Sequence, residues 1–350
     1  MPGDKCHCAL SSVCLVTNTQ ENLDKMRSTT IVTSSALTGT ALAGLYPGLS
    51  PLNHTCALQT PYLSCSSSAD PSTVDTCCVE TFGGLVLATQ FWQIYTGYES
   101  QGQLNPKDSW TIHGLWPDFC NGSYTQYCDL KRQYDPLPSP NTTNSKPDGT
   151  PVPAWNGTKI QEFLKPFGKL DLLAFMNKFW IAQNQPNSDF WAHEFSKHAT
   201  CYSSFDVECY GLEYREHEEV VDFFETTVGY HQSLPTWGWL RAKNIVPSNS
   251  TGYSLSSIQA ALREGFGAKP YIGCSGPAYN ETKAGKGSLD KGRTVLTEVW
   301  YYHHVFGRVQ RGQALRIDAD VVGGSLGNCA TTPGAVWYYE RTKGSEREVY

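Results

Sequence analysis

Basic residues are scarce in this chain: 27 Lys and Arg stand against 33 Asp and Glu, a formal charge of −6 at pH 7 with histidine neutral. That shortage excludes the ordinary basic nucleic-acid binder, whose affinity comes from Lys and Arg neutralising phosphates. Long hydrophobic runs are also missing beyond the amino-terminal region. No stretch there reaches the ~18–20 apolar residues of a membrane-spanning helix, so the chain is read as having no membrane contact. Internal repeats and low-complexity tracts are absent, which excludes solenoids and arrays. Histidine partly offsets the missing positive charge, since charging all nine would move −6 to +3. A polyanion-processing protein of this composition suits an acidic compartment.

What is present is aromatic and oxidisable. Phe, Trp and Tyr make 12% of 350 residues and hydrophobic residues 40%, enough for a sizeable core. Cysteine numbers 13, an odd count. Cys6, Cys8 and Cys14 fall in the first 25 residues and the other ten begin at Cys56. Met26-Arg27 followed by a moderately apolar stretch and small residues to Gly44 reads as a secretory signal over 26–44, with Met26 as initiator and 1–25 as a non-native or disordered extension. Ten cysteines then remain for five disulfides. Sequons at Asn53, Asn121, Asn141, Asn156, Asn249 and Asn280 predict N-linked glycans. The expected location is secreted or vacuolar/lysosomal.

Along the chain, 56–80 reads as a stapled amino-terminal loop. Gly84–Trp92 reads as a buried strand, and Trp110–Leu115 as a second strand ended by Trp116-Pro117. The stretch 135–157, rich in Pro, Asn and Thr, reads as an exposed insertion. Lys159–Gln183 has helical spacing broken at Pro166; Phe190–Cys201, Glu213–Tyr230 and a Ser-capped Ser254–Phe266 read as further helices. Thr297–Val309 and Gln313–Ile317 read as late strands. Strands and helices intermix without βαβ alternation, which predicts an α+β fold with a central antiparallel sheet flanked by helices, in one domain over 56–340 with a polar, mobile tail at 341–350.

Two segments carry the chemistry. Phe190-Trp191-Ala192-His193-Glu194-Phe195-Ser196-Lys197-His198, as a helix, pairs His193 with Lys197 and Glu194 with His198 at i,i+4. Four ionisable groups then crowd one side of a short, aromatic-flanked helix. Trp110-Thr111-Ile112-His113-Gly114-Leu115-Trp116-Pro117 places one histidine in an apolar strand. Taken alone, His113 reads as a satisfied core residue, and it gains a role only if its strand abuts the helix. Imidazoles, a carboxylate and an ammonium among aromatics suit proton transfer at a phosphate next to a nucleobase.

Together the two segments resemble the signature segments of the ribonuclease T2 family, and the resemblance extends over most of 56–330, including the Cys77-Cys78 doublet. Ala199 departs from the glycine common there, and the Pro-rich insertion and first 55 residues fall outside the resemblance. The resemblance implies an RNA substrate and cleavage without metal or other cofactor, by attack of the ribose 2′-hydroxyl to give 2′,3′-cyclic and then 3′-phosphates. It implies His198 as general base, His113 as general acid, Glu194 and Lys197 as stabilisers of the phosphorane, and His193 as a holder of a non-bridging oxygen. A first base site maps onto Trp116, Asp118 and Tyr124, with the two rings sandwiching a base, and a second onto Gln90 and Phe190. The family's disulfides would pair Cys56 with Cys78, Cys65 with Cys120, Cys77 with Cys209, Cys128 with Cys201, and Cys274 with Cys329. A monomer is expected.

Two other readings compete. A zinc hydrolase needs histidines at i,i+4, but His193 and His198 are five apart and Lys197 holds the i+4 position. A secreted binding or signalling protein of the same fold would not need His113, Glu194, Lys197 and His198 together. The remaining histidines read as surface or satisfied core.

Overall fold

The computed structural model describes residues 56–276, 292–321 and 323–348, all within one compact unit, 42–350. The signal, the extension before it, Asn53 and Asn280 lie outside the described residues.

Leu85–Phe91 (β1), apolar and β-branched on both faces, forms a central strand. It pairs antiparallel with Thr111–Asp118 (β3) on one side and Thr294–Val305 (β5) on the other. Tyr271–Ser275 (β4) and Ala314–Ile317 (β6) pair antiparallel with β5. Asn105–Pro106 (β2) lies outside this sheet. β3 runs on through Pro117 instead of ending there, because it is the edge of the order β3-β1-β5-β4 and a missing N–H costs no ladder bond on the open side.

Side chains alternate across the sheet. Val86, Ala88, Ile112, Leu115, Val299 and Tyr301 join the main core. Packed against them are the helices Leu170–Phe179 (α1), Asn187–Lys197 (α2), Glu218–Gln232 (α3), Thr236–Arg241 (α4) and Leu255–Phe266 (α5). Leu85, Leu87 and Tyr302 point the other way, with Trp116, Tyr271 and Trp300. The predicted break at Pro166 is present: Ile160–Phe167 is a 3-10 helix, and Gly168, at φ 70°, turns the chain into α1. α3 starts at Glu218, not Glu213. Ser254 takes the position preceding α5, but its side chain makes no capping bond.

Two other expectations are refined. The insertion is exposed over most of its length but anchored at two points: Asp135 and Val152 are buried, and Trp155 N donates to Asp135 O at 2.9 Å. The tail is docked, since Glu346–Arg347 (β7) pairs with β2 and the buried Arg341 guanidinium stacks 4.0 Å from the Trp92 ring centroid while donating to the carbonyls of Gln93, Pro106 and Ser109. A strand pair and three backbone acceptors outweigh the tail's polarity.

All five cysteine pairs implied by the resemblance are bonded, with Cα–Cα separations of 5.0–5.3 Å. They act with a polar anchor that no motif announces. Glu80 is fully buried and accepts bonds from the N–H groups of Phe82, Gly83, Ser203 and Ser204 and from the hydroxyls of both serines, at 2.8–3.1 Å. This carboxylate ties the lead-in to β1 onto the chain following α2. Replacing it with Ala strands several buried donors, each worth about 1–3 kcal/mol when unsatisfied. Glu80→Ala is therefore expected to lower stability by on the order of 3 kcal/mol or more, read as a fall in denaturant midpoint at unchanged m-value.

Candidate active site

β1 and β3 fall out of step between Thr89 and Gln90: Thr89 pairs with Gly114 but Gln90 with Ile112. His113 is the extra residue, a bulge that turns its ring out of the ladder. The ring stacks on Phe91 at 3.7 Å, with Phe190 of α2 at 5.7 Å. The bulge also leaves Gly114 facing α2. A Cβ at Gly114 would overlap Glu194 Oε2 and stand 2.8 Å from both Glu194 Cδ and Trp116 Nε1. Only glycine leaves room for this carboxylate.

Glu194 is buried, and its Oε2 accepts from Trp116 Nε1 at 2.8 Å. Its Oε1 lies 3.6 Å from His113 Nε2. Trp116 also stacks on His198, with centroids 5.0 Å apart and planes 18° from parallel. One tryptophan thus links the base candidate to the carboxylate beside the acid candidate. His198 follows α2, its N–H bonded to Glu194 O at 3.2 Å, and the Cys128–Cys201 bridge and Tyr127 N→Lys197 O fix that end of the helix. Ala199 is fully buried in the next 3-10 turn without a positive φ, so glycine's freedom is not needed there.

Burial sets the electrostatics. It pushes His113 and His198 well below the usual imidazole value, with the positive charge of Lys197 adding to the effect. It raises Glu194, against the opposing Trp116 bond and Lys197 charge, and lowers Lys197, against the pull of Glu194 and Asp135. Asp118, at the end of β3, is raised by burial to about 7.

The structure therefore brings His113, Glu194, Lys197, His198, Trp116 and Phe190 together. His193 sits 6.4 Å from His198, ring to ring. Asp118 and Tyr124 pair by backbone at the rim, where Tyr124 is 65% exposed. Trp116 stacks on His198 with one face, and no ring contact joins it to Tyr124 among the described residues. Gln90 is misplaced by one residue. Its side chain is buried on the opposite side of the sheet, donating to Leu234 O and accepting from Thr236 Oγ1. Phe91, the next residue, occupies the cleft face. With Phe190, Gln183, Gln185, Tyr95 and Glu298 it lines a cavity of about 540 Å³ beside His113. Sequence reasoning missed Phe91, which counting alternation forward from the core-facing Ala88 would have found. It also missed Asp135, which bonds His193 Nδ1 at 2.8 Å and carries no sequence signal.

Residues 83–311 match the Ribonuclease T2 family. The chain belongs to the ribonuclease T2 family. Ribonuclease Trv of Hypocrea rufa is 35% identical over 284 residues, 81% of this chain and 97% of that protein. Ribonuclease T2-like 1-A of Candida albicans is 34% identical over 264 residues, covering 75% of this chain but 55% of its own, so the chain spans about half of that relative. The crystal structure of Actibind, a T2 ribonuclease, is 29% identical with a TM-score of 0.59, covering 81% of this chain and 97% of its own. Among the described residues no helix is long and apolar enough to cross a membrane.

Proposed function

We propose that this T2-family chain is a metal-independent endoribonuclease acting on single-stranded RNA with little base specificity. The observation that carries the reading is the linked pair of imidazoles: His198 stacked on Trp116, and His113 beside the carboxylate that Trp116 holds. Neutral His198 takes the proton of the ribose 2′-hydroxyl. The 2′-oxygen then bonds to phosphorus, the P–O5′ bond breaks, and protonated His113 gives its proton to the 5′-oxygen. The products are a 2′,3′-cyclic phosphate and a 5′-hydroxyl. Water, activated with the two roles exchanged, opens the cycle to a 3′-phosphate. Lys197 supplies positive charge to the phosphorane, and Glu194 steadies the imidazolium of His113. Bases stack on the half-buried aromatics of the cleft, a contact that tolerates any base, with Asp118 and Tyr124 at its rim.

Five disulfides support an oxidising compartment. Asn121, Asn141, Asn156 and Asn249 are all exposed, as N-linked glycans require. We infer a secreted or vacuolar glycoprotein acting as a monomer. The test is RNA incubated with the protein at pH 5 in excess chelator, with products resolved by end group. Cyclic phosphates followed by 3′-phosphates are expected. Products with 5′-phosphates, or loss of activity to the chelator, would overturn the mechanism.

A further inference from the structure

The root of the insertion reaches the active site. Asp135 is 2% exposed, at the start of a segment rich in prolines and polar residues. Its backbone is clamped twice by one side chain, since Asp135 N donates to Gln133 Oε1 and Gln133 Nε2 donates to Asp135 O, both at 2.8 Å. The returning arm of the insertion closes on the same point: Trp155 N donates to Asp135 O and Gln133 Nε2 to Pro153 O. The carboxylate is then aimed. Oδ1 accepts from Leu137 N at 2.8 Å, while Oδ2 takes Tyr127 OH at 2.9 Å and lies 2.8 Å from His193 Nδ1. Tyr127 reaches this place from a left-handed backbone, φ 49°, held by its N–H on Lys197 O.

We propose that Asp135 is a positioning residue for His193, fixing which ring nitrogen serves the cleft. The proposal deepens the ribonuclease reading, in which His193 grips a phosphate oxygen. A carboxylate only accepts, so His193 Nδ1 must carry its hydrogen toward Asp135. Nε2 then has no hydrogen-bond partner among the described residues, on a ring whose centroid lies 6.4 Å from that of His198. When the ring carries both hydrogens, Nε2–H donates to a phosphate oxygen and Asp135 balances the charge. Without Asp135 the neutral ring can place its hydrogen on either nitrogen and can rotate. The insertion is thereby part of the substrate grip, although its tip is exposed.

Three measurements test this. In the wild-type protein, nitrogen-15 spectra of the imidazole side chains should show His193 with its hydrogen on Nδ1; hydrogen on Nε2 alone would overturn the proposal without any variant. Asp135→Asn should weaken direct binding of inorganic phosphate, followed by calorimetry, by about tenfold, as expected for losing one charged hydrogen bond. It should raise KM for a dinucleotide by a similar factor with kcat changed less than about threefold. In a His193→Phe background the same substitution should add nothing, as for two residues acting as one unit. Multiplying effects, or unchanged phosphate binding in Asp135→Asn, would make Asp135 a support of the insertion only. Because phosphate binding is read without turnover, failure here is separable from failure of the ribonuclease reading, which would show as intact phosphate binding with no cleavage.

Discussion

Gly114→Ala is expected to reduce kcat for RNA cleavage by about 10²–10³-fold, the loss typical of removing one preorganised stabilising group. The substitution adds a single methyl, yet that methyl would occupy the space of Glu194 Oε2 and press on Trp116 Nε1. Glu194 cannot retreat easily, because it is buried in a helix whose neighbours Trp191 and Phe195 are fully enclosed. Moving the carboxylate breaks the Trp116 bond and its approach to His113 together. Gly114 is not in a left-handed conformation, so alanine suffers no backbone strain there and the effect belongs to the contact alone. Two controls separate this from misfolding. The near-UV circular dichroism should be retained, and in a Glu194→Ala background Gly114→Ala should cost little more, since the atom it displaces is gone. Near wild-type turnover in Gly114→Ala would remove Glu194 from the stabilising role.

The α+β class was legible in alternating apolar residues and helical spacing, and ten cysteines predicted five disulfides; the pairing itself and the meeting of strand and helix came only from the resemblance to the ribonuclease T2 family. What escaped was set by contacts between distant segments. The resemblance maps the second base site onto Gln90. The strand's alternation instead turns it to Leu234 and Thr236 and leaves Phe91 facing His113. Asp135 looked like one more polar residue of a Pro-rich loop, and its function depends on a 58-residue separation from His193. Pro117 argued for a strand end, which only the edge position of β3 cancels. The tail's polarity argued for mobility, but Arg341 is covered by Trp92 and three carbonyls, partners scattered over 92–109. Local pattern thus identified the chemistry, while tertiary pairing decided which side chains face it.

Cleavage is expected to peak below pH 6.5 and to fall as the pH rises through neutrality. His198 must be neutral and His113 protonated in the same molecule, and burial disfavours the charged form of both. The alkaline limb, where His113 loses its proton, is therefore drawn below the ordinary imidazole value. His113→Phe and His198→Phe are each expected to lower kcat/KM by about 10²–10⁴-fold, and a wild-type optimum above pH 7.5 would contradict the assignment. Stability should run the other way in the same window. His303 is buried and His231 half-buried, and desolvation holds both down to about 4. They are neutral when folded but take a proton at about 6.5 when unfolded, so their contribution is complete above 6.5 and is lost as the pH falls toward 4. Each can cost up to about 3 kcal/mol there. Activity is thus expected to rise where these histidines weaken the fold, and the five disulfides and the Glu80 anchor are what the fold has to set against that loss. His303→Gln is expected to flatten the fall of Tm between pH 6.5 and 4 while leaving the pH profile of kcat/KM in place. An unchanged Tm slope would show that the acid sensitivity lies elsewhere, in the carboxylates of the cleft.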